Sequence, residues 1–227
     1  MSEDEEPDTG IPRLSFEETR VLGCLLEKEM TTPDNYPLTL NALHSACNQS
    51  SNRDPVTDLG TDEVESALED LRYKKLALLV HQAGARVPKA KHTIENEFPY
   101  LEKAELALVT VLFLRGQQTL GELRQRTERM HPFADLDRAQ ASLNKLIEYQ
   151  PAPLVKEIPA GGGRRVVTFV HLFSGGAENL PVSSETPVPE AASAEVTSDE
   201  PTWREKMEGE IAELREEIET LKRQLGV

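Results

Sequence analysis

His44 and Cys47 have the clearest potential for chemistry, because they lie three positions apart on one predicted helix. Both side chains can bind zinc, but a closed structural zinc site needs four ligands in a tetrahedron. Cys24 is the only other thiol, and its helical neighbours are apolar, which is typical of a buried cysteine. A Cys–His nucleophile would also need a cleft and a lowered thiol pKa, and the sequence indicates neither. We therefore predict no metal, no cofactor and no enzyme active site.

The most polar block runs from Asn41 to Asp54 and allows two interpretations. In the first, it is a recognition surface on which Arg53 binds a carboxylate or phosphate through two hydrogen bonds. In the second, its amides meet the open carbonyls of a helix end, and Asp54-Pro55 begins a turn. The second is favoured, because Asn and Asp before Pro commonly end helices.

A later block, residues 99–174, carries 10 Lys and Arg against 8 Asp and Glu. Several of its polar residues are of types that bind phosphates or read base edges. The candidate nucleic-acid-binding residues are Arg124, Arg126, Arg129, Arg138, Asn144, Lys145, Arg164 and Arg165. If the protein binds double-stranded DNA, we expect this block to do so, because acids such as Asp62 and Glu63 line the corresponding earlier helix and repel phosphates. The alternative is a solvated basic face that pairs with Glu122 and Glu128.

The run Gly161-Gly162-Gly163 precedes two of these arginines. It lacks the Lys-Ser/Thr ending of a phosphate-binding loop and does not open a helix. Glycines allow positive φ at the tip of a hairpin. The run therefore predicts a hairpin turn that presents Arg164 and Arg165 to solvent or to a phosphate backbone.

Two successive stretches of the chain predict the same order of elements. In the first, Ser15 and Glu18 form a capping box before a helix, and Thr61 is predicted to cap a third helix. In the second, residues 119–123 match residues 39–43 at an offset of 80 positions. Each stretch ends in a predicted hairpin, formed by Ala77–Val80 with Val87–Ile94 around Gly84 and by Leu154–Ile158 with Val166–Phe173.

Three helices followed by a hairpin is the order of a winged helix-turn-helix. The sequence therefore predicts a mainly α fold with small β-hairpins (α+β), made of tandem winged domains at residues 14–98 and 99–174. The alternative is an ordinary three-helix bundle with a trailing hairpin. The helix Leu106–Leu114, which Gly116 ends, is apolar all round, so we expect it to pack against the first domain or a second subunit.

Most of the net charge of −15 lies at the two ends of the chain. Residues 1–13 and the proline-containing linker at 175–201 are predicted to be disordered. Apolar residues then return in a heptad pattern over residues 202–227, which predicts a coiled-coil homodimer; a lone amphipathic helix packed on the body is the alternative. The candidate dimerisation residues are Met207, Ile211, Leu214, Ile218, Leu221 and Leu225.

No stretch approaches the roughly 20 apolar residues that span a bilayer, so no membrane association is expected. Met1 is followed by acidic residues instead of a basic and then apolar leader. The sequence therefore predicts a cytoplasmic protein.

Four long blocks, in order, resemble the YceH-like family of bacterial proteins: Arg20–Glu29, Tyr36–Leu43, Ala46–Val56 and Leu114–Arg124. The resemblance covers about residues 13–173 and implies a tandem winged-helix fold in the cytoplasm. It implies no enzyme activity, because the family has no established biochemical role to carry over.

Two functions follow as expectations. The first is a DNA-binding regulatory protein that uses its second domain, and the alternative is an acidic adaptor that uses winged domains for protein contacts. A continuous basic stripe over the third helix and hairpin of the second domain would favour DNA. Interspersed charges and an exposed apolar groove would favour the adaptor.

Overall fold

The computed structural model describes residues 10–81, 87–161 and 165–174. All of them belong to one compact unit, Met1–Ser184, and the second unit, Glu185–Val227, lies outside the described residues. The predicted linker, the heptad residues, the turn at Gly84 and Arg164 also lie outside them. Dimerisation through the heptad helix therefore stays a prediction.

The described residues form an α+β fold of helices and two small antiparallel hairpins, as expected. The first repeat consists of α1 (Phe16–Thr31), a 3-10 turn (Pro33–Asn35), α2 (Leu40–Cys47), α3 (Thr61–Tyr73), β1 (Ala77–Val80) and β2 (Lys89–His92). The second repeat follows the short connecting helix α4 (Ile94–Glu97) and consists of α5 (Lys103–Arg115), α6 (Leu120–Thr127), α7 (Leu136–Ile147), β3 (Val155–Ile158) and β4 (Thr168–His171).

Local sequence signals explain most of the helix ends. The capping box of Ser15 and Glu18 at the start of α1 is confirmed. The predicted cap of α3 is wrong: Gly60 occupies the cap position in an extended conformation, Thr61 is already helical, and Glu63 accepts a hydrogen bond from the Gly60 N–H (2.7 Å). Gly116 ends α5 at φ 67°, a conformation that a side chain would strain.

The hairpins are shorter than predicted. Ile94 opens α4 instead of ending β2, because the chain turns at Thr93, whose N–H donates to the carbonyl of Leu76 (2.9 Å). Each hairpin also has a one-residue bridge that the sequence did not predict. Leu38 pairs with Ala90, and Gln118 pairs with Phe169. Leu38 and Gln118 are 80 positions apart, which is also the offset between the starts of α2 and α6. These bridges tie each hairpin to the segment that leads into the second helix of its repeat.

The two repeats pack against each other through α1 and α5. Gly23 on α1 leaves no room for a side chain: a Cβ atom there would lie 2.9 Å from Cδ2 of Leu114 and 3.1 Å from Cβ of Phe113. The apolar run of α5 is buried on all sides from Ala107 to Leu114. Of the two partners predicted for this helix, the first repeat is therefore the one that covers it.

A buried histidine lies where β4 meets this core. His171 is 3% exposed, and its ring packs edge-on against Phe113 at 5.0 Å between centroids. Burial lowers the pKa of His171 to about 4. The site therefore holds a neutral imidazole at neutral pH.

This pKa makes stability depend on pH. An unfolded histidine titrates at about 6.5, so the unfolded chain takes up its proton first as the pH falls, and stability is lost between about pH 6.5 and 4. Between pH 7.5 and pH 5, protonation of the unfolded His171 lowers the free energy of unfolding by about 2 kcal/mol. Urea unfolding of the wild type and of His171→Phe at both pH values would measure it. An equal loss in both proteins would show that His171 is not the source.

Candidate functional site

The polar block of the first repeat is structural. Arg53 is buried and forms two bonds to the Glu27 carboxylate, from Nη2 to Oε2 (2.7 Å) and from Nη1 to Oε1 (3.3 Å). Its Nε donates to the carbonyl of Ala46 at the end of α2 (3.0 Å). Arg53 does bind a carboxylate, but one from its own core, so it is unavailable to an outside ligand.

The amide of Asn48 has a similar role. It donates to the carbonyl of Leu59 and accepts from the Leu59 N–H, both at 2.8 Å. Nε2 of His44 lies 2.9 Å from the same carbonyl. Both side chains therefore fix the segment that leads into α3.

Both thiols are fully buried, as the sequence predicted for Cys24. A hydrogen bond with Cys24, together with burial, raises the pKa of Cys47. Burial opposes ionisation of Cys24 as well, but the hydrogen bond from Cys47 and the nearby Arg53 outweigh it and lower the pKa of Cys24. A nucleophile needs access to its substrate, and these thiols have no exposed surface.

The predicted cations of the second repeat do not form one face. Arg126 pairs with Glu122 (3.2 Å), which is the pairing that the alternative interpretation expected. Lys145 pairs with Glu105 (3.1 Å) and Glu102 (3.4 Å) at the start of α5. Its hydrogen bond and attraction to Glu105 raise the pKa of Lys145. Two of the candidate DNA-binding cations are therefore already partnered by carboxylates.

Arg126 and Arg129 line a small cleft of about 30 Å³ between the repeats. Arg115, which the sequence interpretation missed, lines it too and donates to Oδ1 of Asn52 (2.9 Å). Burial and then the charge of Arg126 lower the pKa of Arg115. Arg115 lies ten residues along α5 from Glu105, the partner of Lys145, which is about 15 Å of helix. Arg126 and Lys145 thus lie near opposite ends of this helix.

Four candidate cations are exposed and have no carboxylate partner within the part of the chain that the structure describes: Arg124, Arg129, Arg138 and Arg165. Arg124 donates to the carbonyl of Ala134 in the loop before α7 (3.3 Å). The remaining candidate, Asn144, accepts a hydrogen bond from Gln140 (2.9 Å).

The third helices of the two repeats present different charges to solvent. On α3 the exposed acids are Asp62, Glu63, Glu65, Glu69 and Asp70, with Arg72 as the exposed cation near the C-terminal end. On α7 the exposed charged residues are Asp137, Arg138 and Lys145. Lys145 is paired with carboxylates, so charges of both signs are interspersed over the second repeat instead of forming a basic stripe.

A larger cleft, which the sequence interpretation missed, opens beside the connection between the repeats. It has a volume of about 180 Å³ and is rich in rings, and we call it the aromatic cleft. Its ring-bearing lining residues are Pro12, Phe98, Pro99, Tyr100, Tyr149 and Pro151. The available signal was two pairings of tyrosine with proline about 50 positions apart, but only the fold brings them together.

Two further observations concern the described ranges alone. They contain no group of three or more His, Cys, Asp or Glu side chains placed to hold a metal ion. None of their helices has the length and apolar composition needed to cross a membrane.

The fold and these surfaces define an α+β protein of two similar helix–hairpin repeats. Residues 14–164 match the family described as "Protein of unknown function, DUF480", and the chain belongs to this family. It is similar to a UPF0502 protein of Geotalea uraniireducens, at 50% identity over 88% of this chain and 86% of the relative. It is also similar to the UPF0502 protein YceH of Salmonella paratyphi A, at 41% identity over 94% of this chain and 98% of the relative. The resemblance to YceH-like proteins is thus confirmed, and the family description states no enzymatic activity.

Proposed function

We propose that the two repeats are tandem winged-helix domains and that the protein is a cytoplasmic, non-enzymatic adaptor that binds other proteins. The repeated order of three helices and a hairpin supports the domain type. So do the matching bridges at Leu38 and Gln118, which place each hairpin beside the start of the second helix.

The charge on the third helices is the observation that favours a protein partner over DNA. Winged helices that bind DNA place this helix in the major groove. Here α3 exposes Asp62, Glu65 and Glu69. On α7 the exposed Asp137 lies beside Arg138, and Lys145 is already paired with Glu102 and Glu105. The carboxylates of α3 would repel phosphates in a groove, whereas they suit a protein partner with basic groups.

Fluorescence anisotropy with a labelled mixed-sequence 40-base-pair duplex tests this choice at about 50 mM salt, where phosphate contacts are strongest. We expect affinity no higher than that of an unrelated protein of similar net charge. Saturable binding in the micromolar range or tighter would contradict the adaptor function.

DNA binding is kept as a second candidate because four candidate arginines are exposed and lack carboxylate partners among the described residues: Arg124, Arg129, Arg138 and Arg165. On this candidate, four phosphate contacts give a slope of log affinity against log salt of about −3.6. Arg165→Glu would weaken binding to all sequences alike, because hairpin contacts position the duplex. Arg138→Ala would instead change sequence preference, since α7 would lie in the groove. A slope near zero would exclude this candidate.

A further inference from the structure

The aromatic cleft is built by three segments that are distant in sequence. The N-terminal segment supplies Pro12 and is held by a hydrogen bond from the Leu14 N–H to the carbonyl of Phe173 (2.6 Å). The end of α4 and the connection after it supply residues 97–100, and the turn after α7 supplies residues 149–152. The cleft thus lies where the second repeat meets the N-terminal segment and the connection between the repeats.

The wall of the cleft is fixed before any ligand binds. Phe98 is 4% exposed, and its ring lies 6.0 Å from that of Tyr149 and 5.4 Å from that of Phe173, between centroids. Phe173 packs in turn on Phe113 in the core (5.1 Å). Ligand binding therefore loses little conformational entropy at this surface.

The rings of the cleft indicate the class of ligand. Grooves lined with aromatic side chains bind proline-rich segments, whose polyproline II helix is extended before binding. The volume of about 180 Å³ suits one or two proline rings. It is too small for an α-helix, which is about 10 Å wide with its side chains. Tyr100, which is 81% exposed, lines the cleft.

Among the residues that the structure describes, Glu97 is the one charged residue that lines the cleft. Its carboxylate is exposed and forms no salt bridge to any residue that the structure describes. A negative charge at the edge of an apolar site favours a ligand with a positive charge at the matching position. The complementary ligand therefore has a lysine or arginine beside its prolines.

We propose that the aromatic cleft is the docking site for an extended, proline-rich segment of a partner protein that carries a basic residue next to its prolines. This proposal rests on the adaptor function and names the site and the class of partner. Tyr100 and Tyr149 would contact the proline rings, and Glu97 would pair with the basic residue.

Titration of the full chain with a fluorescein-labelled decapeptide tests the proposal. Two such peptides are used, each with six prolines and two arginines. The arginines lie at the N-terminal end of one peptide and at the C-terminal end of the other. We expect saturable binding, with Tyr100→Ala weakening it by about tenfold or more, as for a central tyrosine of an interface. Tyr73→Ala is the matched control, because Tyr73 is also largely exposed, lies on α3 away from the cleft lining, and its loss should leave affinity unchanged. Both tyrosine variants should keep the wild-type melting temperature, since both rings lie in solvent.

Charge recognition is tested with Glu97→Gln. We expect this variant to bind the arginine peptides about threefold to tenfold more weakly than the wild type does. Its affinity for a peptide with glutamine in place of arginine should be unchanged. No binding of any proline peptide at 1 mM, or equal weakening by Tyr100→Ala and Tyr73→Ala, would overturn the proposal. If a partner from lysate is still retained after nuclease treatment, the adaptor function stands and only the assignment of the cleft fails.

Discussion

Replacing Arg53 by alanine will lower the free energy of unfolding by about 3–5 kcal/mol, the range for breaking a buried ion pair. The side chain of Arg53 is fully buried, and that of its partner Glu27 is 10% exposed. Without the guanidinium, the Glu27 carboxylate keeps its desolvation cost and loses two charged hydrogen bonds. The carbonyl of Ala46 also loses its donors.

Urea denaturation followed by circular dichroism measures this change. The matched control is Arg72→Ala, because Arg72 forms an exposed pair with Glu69 (2.5 Å) on the surface of α3. Exposed pairs contribute little, so we expect a loss below about 1 kcal/mol. A similar loss for both variants would mean that the Arg53–Glu27 pair does not hold α2 against α1.

Replacing Gly23 by valine will cost about 3 kcal/mol, at the upper end of the range for overpacked cores. The added Cβ alone would come within 3.1 Å of Phe113 Cβ, which cannot move without shifting α5. Because Gly23 lies where α1 meets α5, the change should also loosen the contact between the repeats. We expect faster hydrogen exchange on both helices.

Gly121→Ala is the control for helix propensity. Gly121 lies on α6, and a Cβ there would meet nothing within 4 Å. Alanine at this position should therefore stabilise the chain by up to about 1 kcal/mol. If Gly23→Val is as stable as the wild type, the close packing of the repeats is not as described.

The sequence predicts the helices and their order because their signals are local. The capping box at Ser15, the apolar run of α5 and the terminating Gly116 each act within a turn or two of helix. The hairpin ends and the bridges at Leu38 and Gln118 depend on segments far along the chain. Their pairing partners have no periodic pattern, so the sequence could not place them.

The candidate surfaces were less predictable for the same reason. Residue type identifies Lys145 as a possible phosphate contact, but Glu105, which pairs with it, comes from another helix. The aromatic cleft joins Pro12, Tyr100 and Tyr149 from three segments, and no one segment indicates a site by itself. The number of charged residues can be counted from the sequence, but which cation pairs with which carboxylate is known only from the fold.

The central claim, that this protein works by binding other proteins, is tested most directly by its retention of partners from lysate. The full chain is immobilised and exposed to lysate of the bacterium that encodes it, with and without nuclease, and the eluates are compared by mass spectrometry. We predict that the same proteins are retained in equal amounts in both cases, because α3 presents carboxylates and α7 presents charges of both signs, so neither third helix forms a basic stripe. Loss of the retained proteins on nuclease treatment, with DNA in the untreated eluate, would contradict the adaptor function.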